Sequence, residues 1–314
     1  MTARASILCT LLLCAWTALA QQSNPAHADF LSPDPGVALL NSNLLVKKQV
    51  NEVNLVLSVT DRRGHFVNGL ALGNFSIFDN DRQQTKITFF QNQTDLPLDI
   101  AVVLDSSASV GSRFDAEHHA ITQFLHQTIR HEDTAVLFAF NQSIRVIAPI
   151  NYNWREVSRR LKKVKPEGET ALYDAVSTAA DHLAQNPWPA RRIIILVSDG
   201  EENRSQTSLA DATAAILRAD AVVYSVNAGD DDDTDAGKQG AEVLRELAQS
   251  TGGNYFRASM NGDVGSAFSK IRKELRSQYA LAYKPSDLVG TQFHAVRVVA
   301  GSLLVRCRRG YYAK

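Results

Sequence analysis

Between residues 53 and 59 the apolar Val53, Leu55, Leu57 and Val59 alternate with Asn54, Val56 and Ser58, a period of two that predicts a strand with one buried face. Asp61, Arg62, Arg63 and Gly64 supply the turn that ends it. Two shorter strands are expected at 75–78 and 86–90 on either side of Asp79, Asn80 and Asp81, so residues 43–92 read as a small antiparallel sheet without helices. From Leu98 the pattern changes to apolar runs of strand length at 100–104, 135–140, 146–150, 193–197, 222–226 and 255–257. Segments of helical period lie between them. Phe114, Ile121, Phe124, Leu125 and Ile129 share one stripe, and Val264, Phe268, Ile271 and Leu275 share another. Further helices are expected at 154–163, at 172–185 before Pro187, from the capping pair Ser208 and Asp211, and at 243–250 stopped by Gly252 and Gly253.

This alternation predicts an α/β fold with a doubly wound, mainly parallel, Rossmann-like sheet. After Ser277 strands return at 279–283, 294–299 and 302–308, and the chain runs on to Tyr311 and Tyr312. Lone strands cannot bury a face, so these are expected to pair with those of 43–92. The α/β domain, residues 97–278, is then inserted in a small β-sandwich formed by an N-terminal β segment, 43–96, and a C-terminal one, 279–314.

Lys plus Arg and Asp plus Glu both number 33, so no overall field draws the chain to nucleic acid or to an anionic membrane. No nucleic-acid partner is expected. Arg4, the apolar run 7–20 and the residues Ala18, Leu19 and Ala20 before Gln21 have the form of a signal peptide, residues 1–20, cleaved after Ala20. The run is shorter than the about 20 apolar residues that a spanning helix needs, so the mature chain is expected to lack a transmembrane anchor and to be secreted or periplasmic. Residues 21–42, with Pro25, Pro33 and Pro35, read as a linker. Cys9 and Cys14 leave with the signal, so Cys307 has no intrachain disulfide partner and reads as a small buried hydrophobe.

The candidate chemistry sits at strand ends. The strand from Leu98 closes on Asp105, followed by Ser107 and Ser109, at the carboxyl edge where open parallel sheets hold ligands. Alternate residues of an extended segment point the same way, so these oxygens are expected to converge while Ser106 and Ala108 face elsewhere. The run 193–197 leads to Ser198, Asp199 and Gly200 at the same edge, and Gly168, Glu169 and Thr170 precede the helix at 172. Thr170 and Asp199 are therefore expected at the same point. Hard oxygen donors suit Mg²⁺, Mn²⁺ or Ca²⁺ rather than zinc.

DxSxS after the first strand, the GxTALYDA segment containing Thr170, and SDG after a later strand together resemble the metal-ion-dependent adhesion site of von Willebrand factor type A domains, over about residues 97–278. The flanks, 53–90 and 279–313, look like those of bacterial exported "VWFA-related" proteins. The resemblance implies that Ser107 and Ser109 ligate the metal directly and that Thr170 does so in the ligand-engaged state. It assigns Asp105 and Asp199 a role through water and hydrogen bonds, and leaves the open position to an Asp or Glu of a protein ligand. Glu169 stands where such proteins more usually have Gly, and its charge would tighten metal or weaken an acidic ligand.

The expectation is an exported, non-enzymatic binding and adhesion module. One alternative is an envelope assembly or scaffold component with a structural metal. Another is a metal-dependent phosphatase, which would want a second carboxylate where Ser107 stands. Ser107, Ser109 and Asp199 also suit plain helix and turn caps. GxSxG, Walker, GxGxxG and HExxH patterns are absent. His118, His119, His126 and His131 read as a solvated helix face, although Asp115 and His119 have i, i+4 spacing. The acidic run 230–233 with Asp235 reads as a flexible loop rather than a second cation site, and the basic cluster 159–165 as an outer helix face. Asn74, Asn92, Asn141 and Asn203 open N-x-Ser/Thr sequons, which mean little in a bacterial chain.

Overall fold

A computed structural model describes residues 52–92, 95–111, 114–149, 154–229, 234–258, 264–286 and 292–313. The expected signal peptide, the linker and the acidic run 230–233 lie outside the described residues. The chain opens with strands β1 (Val53–Thr60), β2 (Ser76–Asp79), β3 (Arg82–Gln84) and β4 (Ile87–Gln91). There follow β5 (Leu98–Asp105), α1 (Phe114–Thr128), β6 (Thr134–Phe140), β7 (Ile144–Pro149), α2 (Trp154–Leu161), α3 (Leu172–Ala184) and β8 (Arg191–Ser198). Then come α4 (Leu209–Arg218), β9 (Ala221–Asn227), α5 (Asp235–Thr251), β10 (Tyr255–Arg257) and α6 (Val264–Leu275). Strands β11 (Tyr279–Tyr283), β12 (Phe293–Val299), β13 (Leu304–Arg306) and β14 (Gly310–Tyr312) close the chain.

The central sheet has the order β10-β9-β8-β5-β6-β7. Its pairings are parallel except for β7, which runs antiparallel to β6 at one edge. On β5, Leu98, Ile100, Val102 and Leu104 pack with α1, α2 and α6, while Ala101 and Val103 pack with α3, α4 and α5. Burial on both faces explains why this strand reads as a continuous apolar run without alternation. The fold is therefore the doubly wound α/β class.

Strands from the two ends of the chain build two further sheets, β13-β1-β11-β4 and β14-β12-β2-β3. Between them lies a third core that includes Leu55, Leu57, Ile77, Leu281, Val296 and Val298. The single sheet expected over 43–92 is not formed. Asn80 and Asp81, at φ 46° and 61°, make a two-residue turn that folds β2 onto β3, the geometry favoured in tight hairpins. β4 instead pairs with β11, which also pairs with β1, so a C-terminal strand separates two N-terminal ones. Cys307 is half-buried against this core, and burial pushes its thiol up to about 11.

Helix α5 starts well before the expected 243, with Thr234 accepting a hydrogen bond from Gly237 N–H at its cap. Gly237 and Gly240 hid this first half, because glycine weakens a helical pattern. Gly240 has a packing role: a Cβ there would meet the Asp199 carbonyl at 2.5 Å. The helix thus backs directly onto the turn carrying Asp199.

His118 departs from the solvated reading. It is 6% exposed, packs against Phe114 with the rings tilted at 59°, and among the described residues neither ring nitrogen has a hydrogen-bond partner. Burial lowers its pKa from 6.5, against a smaller upward pull from Asp115. The unfolded chain binds the proton more readily, so this residue costs stability as pH falls below 6.5 and through the folded pKa. His118→Leu is expected to shrink the loss of Tm between about pH 7.5 and about pH 5. An unchanged loss in thermal melts would remove His118 from the acid response.

Candidate metal centre

Asp105 ends β5 fully buried. Its carboxylate accepts the Ser107 N–H at 2.8 Å and the Ser198 hydroxyl of β8 at 2.6 Å. Ser198 Oγ in turn accepts the Gly200 N–H at 2.9 Å, so one bonded chain ties the ends of two parallel strands together. Burial, and then the charge of Asp199, push the Asp105 carboxyl up to about 7, against the opposing hydrogen bonds from Ser198 and Ser107. A cation beside it would hold the Asp105 carboxylate ionised at neutral pH.

The Ser107 and Ser109 hydroxyls lie 3.1 Å apart, Ser107 buried and Ser109 exposed. They do not meet by the extended alternation expected from the sequence. Residues Ala108–Val110 form a 3₁₀ turn after Ser107, and this tight turn brings the two oxygens onto one side. Ser106 faces elsewhere, as expected, its hydroxyl and N–H both donating to the Phe140 carbonyl.

The loop carrying Thr170 is laced to this one. Ala108 N–H donates to the Gly168 carbonyl at 3.1 Å, and Glu167 N–H to the Ser106 carbonyl at 2.9 Å. Thr170 is buried, its N–H donating to Asn203 Oδ1 at 2.9 Å and its carbonyl accepting from Asn203 and Arg204 N–H groups at 3.1 Å. The Thr170 loop is thereby fastened to the Asp199 loop as well. Asp199 is half-buried and accepts the Glu201 N–H at 3.0 Å. Gly200 has φ +83°, and a Cβ there would meet the Gly240 carbonyl at 2.2 Å, so only glycine fits the turn.

The structure thus brings Asp105, Ser107 and Ser109 into direct bonded contact and sets Thr170 and Asp199 on loops bonded to each other and to that cluster. Supporting residues escaped the sequence reading. Asn203 positions Thr170, Asn141 Nδ2 donates to the Glu167 carbonyl at 3.0 Å, and Glu202 accepts from Tyr173 N–H and Ser205. Asn141 follows β6 at the same carboxyl edge, which was the available signal; it was read only as a sequon. Among the described residues no group of three or more His, Cys, Asp or Glu side chains is placed to hold a metal. The candidate donors are accordingly hydroxyl and carboxylate oxygens, which fit a hard divalent cation.

Residues 100–202 match the family model described as "von Willebrand factor type A domain". No curated protein matches the chain. Among solved structures, the conserved hypothetical protein BatB from Bacteroides thetaiotaomicron is 17% identical with a TM-score of 0.44, covering 57% of this chain and 97% of its own. The "von Willebrand factor type A" structure from Catenulispora acidiphila is 12% identical with a TM-score of 0.49, covering 81% and 71%. The vWF domain of the type V pili tip protein Mfa5 from Porphyromonas gingivalis is 12% identical with a TM-score of 0.45, covering 57% and 95%. Residues 100–202, within the α/β part of this chain, are thus similar to von Willebrand factor type A domains. No helix among the described residues is long and apolar enough to cross a membrane.

Proposed function

We propose that this is an exported protein-binding module that holds one divalent cation, Mg²⁺ or else Mn²⁺ or Ca²⁺, and grips an Asp or Glu carboxylate of a protein ligand. Ser107, Ser109 and Thr170 would hold the ion through their hydroxyls, with Asp105 and Asp199 behind them. The observation that carries this reading is the serine hydroxyl pair, 3.1 Å apart, in the loop whose Ser107 N–H is bonded to a fully buried carboxylate. Plain turn capping explains neither the burial of Asp105 nor its crowding by Asp199, both of which disfavour an ionised carboxylate without a cation.

When bound, the ion supplies a positive charge with room for one more oxygen ligand. The chain supplies the placement. Asp105 is pinned by donors from its own following loop and from β8, and Ser107 and Ser109 contribute oxygens without charge, so the ion's charge is left for the partner. A phosphoryl-transfer role fits less well, because the position two residues after Asp105 carries the hydroxyl of Ser107, which is no general acid at neutral pH. Export rests on the signal pattern at 1–20.

Capture of extracellular proteins by the mature chain tests the reading. Partners retained by the wild type are expected to be lost both in chelator and in the Ser107→Ala, Ser109→Ala double variant. Partners that survive both treatments would favour a scaffold that uses other surfaces.

A further inference from the structure

The rim of the metal centre carries a second charged feature. Arg204 is held one backbone hydrogen bond from Thr170, its N–H donating to the Thr170 carbonyl at 3.1 Å. Its guanidinium reaches Glu169, the residue just before Thr170, at 3.5 Å. Both side chains are largely exposed, 62% and 58%, and a contact of that length and exposure is loose and readily exchanged.

The other acidic groups near Arg204 are already engaged. Glu202 accepts the N–H groups of Tyr173, Arg204 and Ser205 and the Ser205 hydroxyl. Asp174 accepts the N–H groups of Gln206 and Thr207. Asp199 accepts the Glu201 N–H and lies within the electrostatic reach of Asp105. The rim is therefore acidic, and Arg204 is the cation that the structure pairs with it. An approaching carboxylate meets Glu169 and Glu201 as like charges, whereas the Arg204 fork suits a carboxylate in two-point contact.

We propose that Arg204 is a second anchor of this site, so that its ligand is a segment carrying two carboxylates, one for the cation and one for the guanidinium. The inference rests on the metal reading above. The incoming second carboxylate replaces Glu169 on Arg204, so one ion pair is exchanged for another and no charge is left unpaired at the guanidinium. Glu169 then acts as a placeholder that keeps Arg204 turned toward the Thr170 loop. A ligand with a single carboxylate leaves the Glu169–Arg204 pair as it stands and gains nothing from it.

Calorimetric titration of the Mn²⁺-loaded mature chain with succinate, glutarate and adipate, each against the monocarboxylate of equal carbon number, tests this. The wild type is expected to bind at least one dicarboxylate about fivefold tighter than its monocarboxylate counterpart. Arg204→Ala, which keeps the backbone bond to Thr170, is expected to bind both alike with Mn²⁺ uptake unchanged. Glu169→Gln is expected to widen the preference, because the competing carboxylate is gone. Mn²⁺ uptake with no dicarboxylate preference, or a preference that survives Arg204→Ala, overturns this proposal alone. Absence of Mn²⁺ uptake sensitive to Ser107→Ala overturns the metal reading and this proposal with it.

Discussion

Glu274→Leu is expected to lower the free energy of unfolding by about 3–5 kcal/mol, the range for breaking a buried charge pair from one side. Glu274 lies on α6, 1% exposed, where the α/β domain meets the β-sandwich. Its carboxylate accepts the Ser58 hydroxyl at 3.0 Å, the Tyr224 hydroxyl at 2.9 Å and the guanidinium of Arg306. Gln278 donates to the Tyr224 oxygen at 2.8 Å, and its own carbonyl accepts from Arg191 at 2.8 Å. Removing the carboxylate leaves the Tyr224 O–H, fully buried, without an acceptor and the Arg306 charge without its partner. Glu274→Gln keeps an acceptor and is expected to lose less. Urea denaturation measures both, and a loss under about 1 kcal/mol for the Leu variant would show that apolar packing replaces the network.

The same contacts predict how the chain unfolds. Ser58 on β1 and Arg306 on β13 belong to the sandwich, whereas Tyr224 on β9 and Glu274 belong to the α/β domain. The wild type is expected to unfold as one unit and Glu274→Leu in two steps, read by comparing tyrosine fluorescence with helical circular dichroism. Coincident transitions in the variant would assign the coupling to Arg308, which bonds both Asp220 and the Asn54 carbonyl.

The second large effect concerns the metal. At Mg²⁺ about a hundredfold above its dissociation constant, binding to the folded state alone adds about 2.7 kcal/mol. For a chain of this size that raises Tm by roughly 4–5 °C. Ser107→Ala with Ser109→Ala is expected to abolish the rise and leave the metal-free Tm nearly unchanged. Ser109 is exposed, and Asp105, which also draws on the Ser107 side chain, keeps its hydrogen bonds from the Ser107 N–H and the Ser198 hydroxyl. A wild type indifferent to Mg²⁺, Mn²⁺ and Ca²⁺ would end the metal reading. A double variant that keeps the rise would move the ion to other ligands.

Much of this was legible in the chain because burial and periodicity are local signals. The β5 run, unbroken from Leu98 to Leu104, announced a strand covered on both faces, and both core clusters contain it. Ser208 capping α4 through Asp211 N–H was readable as a residue pair three apart. The β2–β3 hairpin was misread because apolar alternation marks strands and does not name their partners. A histidine beside His119 and Glu117 reads as polar, and only the packed helix shows that Glu117 and His118 are buried while His119 is exposed.

What the sequence determined by itself was the order of elements in the α/β part, the two-faced burial of the central strands, and the arrival of Asp105, Thr170 and Asp199 at one edge of the sheet. Those follow from residue spacing along single elements. The tertiary structure alone decided that β11 slips between β1 and β4, that a 3₁₀ turn joins the hydroxyls of Ser107 and Ser109, and that Gly200 rests on Gly240. Each is a contact between backbone segments distant in sequence or a local turn selected by such contacts. Their free energy depends on which surfaces meet, and no period in the chain records that.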